Sequence, residues 1–277
     1  MDRYAVVGNP VAHSKSPLIH EVFARETGQD MSYERLLAPL GGFAATAQRF
    51  VAGGGKGLNV TVPFKLDAYA MASARSVRAE EAKACNTLVW RDDSWYAENT
   101  DGVGLLRDLT DNLDQPLGQR DVLVLGAGGA ARGIMGPLLA KAPRSVTLLN
   151  RTASRAEELA AAFVQHGPVA SMSSAQLNRR KFDVVINATS VGVSGGLGGN
   201  VPEGLWPELP FLPGALAYDL VYSDSATPFL RWATRQGAAR TADGLGMLIE
   251  QAAESFVLWR GVRPRTDTVF AMLRPGR

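Results

Sequence analysis

The stretch "DVLVLGAGGAAR", residues 121–132, decides how the middle of this 277-residue chain is read. Asp121–Leu125 is a short apolar run of the kind that forms a buried strand. Gly126-Ala127-Gly128-Gly129-Ala130-Ala131 then fits G-x-G-x-x-G/A and passes directly into a helical pattern at Arg132. Gly126 permits a tight turn, Gly128 admits the backbone close to a pyrophosphate, and Ala131 lets the helix pack on the strand. The helix start contributes free N–H groups and the positive end of the helix dipole. Placed between a strand and a helix, the pattern predicts a dinucleotide site built on Gly126, Gly128 and Ala131.

The end of the following strand distinguishes between dinucleotides. An NAD site needs an Asp or Glu there to accept from the ribose 2′-OH. The run "SVTLLN" ends instead in Asn150-Arg151-Thr152, and Arg155 follows within a helical turn. A carboxylate repels a 2′-phosphate, whereas a planar guanidinium holds it bidentately. Cations at a helix start are mildly unfavourable without an anionic partner, so the expected cofactor is NADP(H). Two further strand ends, "INATSVGV" (186–193) and "YDLVYS" (218–223), read as walls for the two halves of the dinucleotide, with Ala188 and Gly192 keeping the backbone open.

Strand-like runs recur on either side of the glycine motif: Arg3–Val7, Ser32–Leu37, Gly57–Val62, Thr87–Trp90, Asp121–Leu125, Ser145–Asn150, Phe182–Asn187 and Leu216–Leu220. Between most of them lie helical periods: Pro17–Thr27, Gly42–Ala52, Val103–Leu113, Ala130–Ala140, Ala153–Val164 and Thr227–Arg235. That alternation predicts an α/β fold built from βαβ units and parallel sheet. The chain changes character near Thr100–Gly102 and near Ala239–Asp243. Residues 1–101 and 240–277 are therefore read as an α/β substrate domain to which the C-terminal helices return. Residues 102–239 are read as an inserted, doubly wound domain of Rossmann type. A ligand is expected in the cleft between them.

Composition excludes several classes. With 46% hydrophobic and 20% charged residues the chain is an ordinary globular protein, not a disordered one. A net charge of +2, with Arg179-Arg180-Lys181 as the tightest basic cluster, leaves no nucleic-acid footprint; that cluster reads as a solvated helix end. A single cysteine, Cys85, forbids an intrachain disulfide and suits a reducing cytoplasm. One Cys and three His give no zinc pattern, and no metal is expected. No signal-peptide pattern opens the sequence and no stretch has the length of a membrane span.

Outside the glycine motif, polar groups gather at strand ends. "NVTVPFK" (59–65) alternates like a strand until Pro63 and then presents Lys65 on a helical first turn, beside Asn59 and Thr61. "NPVAHSKSPLIHEVF" (9–23) sets Ser14 and Ser16 before Pro17. Ser16 reads equally as the helix N-cap and as half of a small carboxylate-binding pair with Ser14. His13 and His20 read as structural. "ACNTLV" and "ENTDGVGLL" add Asn86 and Asp101, which by themselves also suit a loop tie and a turn. In "GLGMLIEQAAESFVLW" (244–259), Leu245, Leu248, Ile249, Ala252, Ala253, Phe256 and Val257 form the apolar stripe. Met247 and Gln251, one turn apart, lie on the other side, and Gly244 and Gly246 allow close approach at the helix start.

Taken in order, "NPVAHSKSP", "NVTVPFK", "ACNTLV", "NTDGVG", "GAGGAAR", "NRTASRAEELA", "INATSVG" and "ADGLGMLIEQAAESFVLWRG" resemble the shikimate dehydrogenase family over nearly the whole chain. The resemblance implies that Lys65 and Asp101 are the catalytic pair. It implies that Ser14 and Ser16, with Tyr222, hold a substrate carboxylate and that Asn59, Thr61, Asn86 and Gln251 bind ring hydroxyls. Gly126, Ala127, Gly128, Gly129, Ala130, Ala131, Arg132, Asn150, Arg151, Thr152 and Arg155 would bind NADP, with Thr189, Val221, Gly244 and Met247 lining the cofactor side. The implied reaction is reversible NADPH-dependent reduction of 3-dehydroshikimate to shikimate, by a monomer or homodimer. Cys85, where relatives often carry an aliphatic residue, is expected only to pack. Two other readings stay open: an NAD-using quinate/shikimate dehydrogenase, and a catalytically silent dinucleotide sensor.

Overall fold

The computed structural model describes residues 1–177, 180–189, 191, 206–208 and 211–274. The chain divides into two compact units, Met1–Arg107 with Gly246–Arg277, and Asp108–Leu245.

The first unit contains β1 (Asp2–Gly8), α1 (Ser16–Thr27), β2 (Met31–Leu37), α2 (Phe43–Ala52), β3 (Gly55–Val60), α3 (Lys65–Met71), β4 (Ala74–Arg75), α4 (Val77–Ala82), β5 (Thr87–Arg91), β6 (Ser94–Glu98) and α5 (Asp101–Arg107). Its six strands run in the order β2-β1-β3-β5-β6-β4. β1 pairs in parallel with β2 and β3, as the alternating pattern predicts, but β5 pairs antiparallel with β3 and β6. The β5–β6 hairpin turns on Asp92 and Asp93, both with positive φ, which is the backbone a two-residue hairpin of matching twist requires. Ala5, Val7, Phe43, Phe50, Leu58, Phe64, Leu88 and Trp95 form the core between this sheet and α2 and α3. Cys85 packs in the same cluster, and burial pushes its thiol up to about 12, so it is an inert apolar filler.

Two local expectations change. The strand expected to reach Val62 ends at Val60, because Thr61 N–H turns to Val7 O and Phe64 N–H closes on Thr61 O. Lys65 thus becomes the first residue of α3. Ser16 is not an N-cap: it is already the first residue of α1, and Ser14 Oγ accepts from its backbone N–H at 3.3 Å.

The second unit opens with a π-helical turn, Asp108–Asn112, where a plain α-helix to Leu113 is expected. β7 (Asp121–Leu125), α6 (Gly129–Ala140), β8 (Ser145–Leu149), α7 (Ala153–Phe163), β9 (Val169–Ser171), α8 (Ser174–Leu177), β10 (Phe182–Asn187), β11 (Phe211–Asp219), α9 (Pro228–Arg235) and β12 (Arg240–Asp243) follow. All strands are parallel, in the order β12-β11-β10-β7-β8-β9. That is the doubly wound order, with its switch point between β7 and β10. Leu123, Leu125, Phe182, Val185, Phe229 and Trp232 are buried around it. Arg240–Asp243, read from sequence as part of the returning segment, forms the sixth strand of this sheet. Gly192 and Val193, the glycine-rich patch 192–200 and Arg179 lie outside the described residues.

The chain closes with α10 (Leu245–Arg260) and α11 (Asp267–Leu273). Within the first unit α10 crosses α5 at Gly104, where an added Cβ would lie 2.7 Å from both Cβ and N of Gln251. Only glycine admits this approach, and the approach sets the depth of Gln251.

Candidate active site

Lys65 and Asp101 come from different elements of the first unit and meet. Lys65 Nζ donates to Asp101 Oδ2 at 2.5 Å. The lysine side chain is 20% exposed and the carboxylate 6%, so the amine remains reachable while its partner is sealed. The other carboxylate oxygen accepts from Asn86 Nδ2 at 2.8 Å, and Asp101 N–H donates to Asn99 Oδ1 at 3.1 Å. The Asn99 turn is braced from below. Glu98 is buried, receives Arg78 bidentately at 3.0 Å on each oxygen, and accepts from Ser76 Oγ and Asn99 N–H. An aligned fork on a desolvated carboxylate is the strong form of this contact.

Asn86, Asn59 and Gln251 join one buried network. Asn86 Nδ2 also donates to Gln251 Oε1 at 3.1 Å, and Asn86 Oδ1 accepts from Thr100 N–H at 2.8 Å. Asn59 Oδ1 accepts from Tyr33 hydroxyl at 2.7 Å, while Asn59 Nδ2 reaches Thr87 Oγ1 and Ser255 Oγ. Gln251 is 7% exposed and Met247 8%, so neither is a solvated helix residue. Ser14 Oγ donates to Ser16 Oγ at 3.2 Å, and Ser16 hydrogen-bonds Tyr33. The Arg35 guanidinium fixes this turn by donating twice to Ser14 O. Thr61 is half-buried next to Gly8.

Tyr33, Thr87, Thr100 and Ser255 are members that sequence reasoning does not single out. Burial holds the Tyr33 hydroxyl well above its ordinary pKa, so it is a donor throughout the working range. His20 stacks on Tyr33 with centroids 4.2 Å apart and planes 9° apart, and burial lowers its pKa to about 3. Among the described residues neither His20 ring nitrogen makes a full hydrogen bond, and the approach of the Asn59 side chain only partly offsets burial, so this histidine is a neutral aromatic spacer. His13 is exposed.

The second unit carries the dinucleotide-type features. Gly126 has φ +109, and a Cβ there would lie 3.0 Å from Ala188 C and O, so the turn across the β7–β10 switch point demands glycine. Gly128 and Gly129 face open space, and α6 begins without a side-chain cap. Free N–H groups and room for a pyrophosphate therefore coincide, with Ala127, Ala130, Ala131 and Arg132 completing the turn. After β8, Asn150 Nδ2 donates to Thr152 O at 2.9 Å, and α7 also begins uncapped. Arg151 and Arg155 are exposed, with no carboxylate partner among the described residues. The residues present fit a dinucleotide carrying an extra phosphate on its ribose.

Asn187, Asp219 and Asp243 end three neighbouring parallel strands in one register row. Each accepts from a backbone N–H two residues on: Thr189 at 3.2 Å, Val221 at 3.1 Å and Leu245 at 3.1 Å. Asn187 Nδ2 donates sideways to Asp219 Oδ1 at 2.8 Å. Thr189 and Val221 are thus held by side chains below them. Gly244 stands in the third of these turns, and Tyr222 is half-buried directly after Val221.

A doubly wound unit with a glycine turn at its switch point, in one chain with a unit that pairs an ammonium and a sealed carboxylate, defines a dinucleotide-dependent oxidoreductase. Residues 6–88 match the shikimate dehydrogenase substrate binding domain, 108–192 shikimate / quinate 5-dehydrogenase, and 244–269 the shikimate 5'-dehydrogenase C-terminal domain. The chain belongs to the shikimate dehydrogenase family. It is 54% identical to the shikimate dehydrogenase (NADP(+)) of Chromobacterium violaceum, over 99% of this chain and 98% of the relative. An Ael1 enzyme from Pseudomonas putida superimposes with a TM-score of 0.88 at 45% identity, covering 99% of this chain and 98% of that one. A Thermus thermophilus shikimate 5-dehydrogenase in complex with NADP(H) and shikimate gives 0.82 at 33% identity, covering 96% of each chain.

Proposed function

We infer that this chain catalyses the reversible, NADPH-dependent reduction of 3-dehydroshikimate to shikimate, a step toward aromatic amino acids. The observation that carries the reading is the Lys65–Asp101 contact, fixed by Asn86, in a chain whose second unit offers an uncapped glycine turn and two exposed arginines, Arg151 and Arg155, with no carboxylate partner among the described residues. The first unit binds the hydroxylated acid and the second the dinucleotide.

When bound, NADPH supplies the hydride that reaches the ketone carbon. As the C=O bond opens, negative charge collects on its oxygen. Lys65, as an ammonium, hydrogen-bonds that oxygen, stabilises the charge and releases its proton to give the hydroxyl. Asp101 fixes the direction of the Nζ–H bonds and hydrogen-bonds the same hydroxyl. In the reverse direction Lys65 takes the hydroxyl proton as hydride leaves. Ser14 and Ser16, with Tyr222, receive the carboxylate, and Asn59, Thr61, Asn86 and Gln251 surround the ring hydroxyls. Gly126 to Arg132 would hold the pyrophosphate, Asn150, Arg151, Thr152 and Arg155 the adenosine end with its 2′-phosphate, and Thr189, Val221, Gly244 and Met247 would line the nicotinamide side. We place the enzyme in the cytoplasm, as a monomer or homodimer. The single buried thiol suits that compartment. No helix of the described residues is long and apolar enough to cross a membrane.

The test follows the absorbance of the reduced cofactor with shikimate and with quinate, each with NADP and with NAD. Turnover of shikimate with NADP is expected. Turnover confined to quinate with NAD would replace this reading with a quinate enzyme, and no turnover in any combination would make the chain a dinucleotide sensor.

A further inference from the structure

We propose that Thr87 and Ser255 are positioning residues for the Asp101–Lys65 pair, the middle links of a one-way chain of hydrogen bonds that starts at Tyr33. The proposal rests on the reading of Lys65 and Asp101 as the reacting pair.

Sheet register places the links. Asn59 on β3 pairs with Thr87 on β5, so both side chains stand on the same face. On α10, Ser255 lies one turn beyond Gln251 and shares its face. Thr87, Thr100 and Ser255 are all 0% exposed, so each bond must be satisfied within the protein.

Counting donors gives the direction from Tyr33 through Asn59 and Thr87 to Asn86, while the Thr87–Ser255 contact can run either way. The Tyr33 hydroxyl donates to Asn59 Oδ1, which turns the Asn59 NH2 toward Thr87 Oγ1 at 3.1 Å and Ser255 Oγ at 2.9 Å. Asn86 O lies farther from the same NH2, at 3.3 Å, so the two hydrogens of that NH2 go to the two nearer hydroxyls, and each hydroxyl has one hydrogen left to give. Thr87 Oγ1 lies 3.1 Å from Asn86 Oδ1. Ser255 Oγ lies 2.8 Å from Thr87 Oγ1 and 3.1 Å from Gln251 O. Asn86 Oδ1 is pinned a second time by Thr100 N–H, a donor that cannot reverse. The Asn86 NH2 is then forced toward Asp101 Oδ1. Every step from Tyr33 to Asp101 runs donor to acceptor, and aligned hydrogen bonds in a dry interior polarise one another. The chain keeps two donors, Asn86 and Lys65, on the Asp101 carboxylate and fixes its plane.

The experiment uses the full-length enzyme and steady-state oxidation of shikimate with NADP across pH, beside thermal melts. Thr87→Val keeps the shape and removes the hydroxyl. It should lower kcat about 10-fold, move the acid limb of the pH–kcat profile, and leave KM for NADP unchanged. Thr87→Ser should restore both rate and profile, and Ser255→Ala should give a smaller loss of about 3-fold with the same direction of shift. A hydroxyl that serves packing alone would change the melt but not the pH profile. Parent-like kcat and pH profile in folded Thr87→Val overturn the proposal; if that variant does not fold, a parent-like profile in Ser255→Ala overturns it. Lys65→Ala in the same assay separates the two readings. If it retains turnover, the pair is not the reacting one and the proposal falls with it. If it is inactive while Thr87→Val matches the parent, only the positioning proposal is lost.

Discussion

Lys65 Nζ lies 2.5 Å from Asp101 Oδ2, while the other oxygen of that carboxylate receives the Asn86 amide at 2.8 Å. The amine is thus aimed by a group that is itself aimed. Lys65→Ala removes the ammonium group that we propose as the proton source. Turnover should fall by about 10² to 10⁴ with little change in KM for shikimate. Steady-state kinetics check this, and an unchanged kcat removes Lys65 from the reaction.

Arg151 is exposed and has no carboxylate partner among the described residues. We propose that its charge, at an uncapped helix start, meets an anion from outside the chain. Arg151→Ala should raise KM for NADP about 10-fold and change KM for NAD little. Equal effects on the two cofactors would place the 2′-phosphate elsewhere.

Much of the fold is legible because its periodicities are long. β7, α6, α7 and β10 fall close to where the apolar pattern sets them. β9 and β12 span three and four residues, too short for a period to register. The β5–β6 hairpin is hidden because its turn is Asp92-Asp93 instead of Asn-Gly. In the site, Lys65, Asn86, Asp101 and Gln251 are singled out from the sequence. Tyr33, Thr87 and Ser255 are passed over, although Thr87 and Ser255 stand in the same stretches as Asn86 and Gln251. A lone hydroxyl has no spacing signature, and only register and helix docking bring these three to Asn59.

Gly104 shows how a backbone contact feeds the site. With Gln251 Cβ and N 2.7 Å and Met247 O 2.8 Å from the position of a Cβ, Gly104→Ala must separate α5 from α10. Overpacking of this kind costs about 1 to 3 kcal/mol. The unfolding midpoint should fall, and KM for shikimate should rise because Gln251 withdraws from Asn86. A variant with parent midpoint and KM would mean the helices slide without strain.

Asp219 gives a pH dependence whose sign follows from burial. Burial raises its carboxyl from 3.8 to about 6, against hydrogen bonds from Thr227 Oγ1, Val221 N–H and the Asn187 amide that favour the charged form. The folded state therefore holds this proton more tightly than the unfolded chain. Its contribution to stability is complete below about pH 4 and is lost as pH rises through about 6. A shift of this size corresponds to about 3 kcal/mol. Asp219→Asn is nearly isosteric and does not titrate. Its amide oxygen accepts from Val221 and Asn187, and Thr227 rotates to accept from the new NH2. The stability of the parent relative to Asp219→Asn should fall steadily between pH 4 and pH 7. Paired denaturation midpoints across that range check it, and a difference that does not change with pH would mean that Asp219 is ionised throughout.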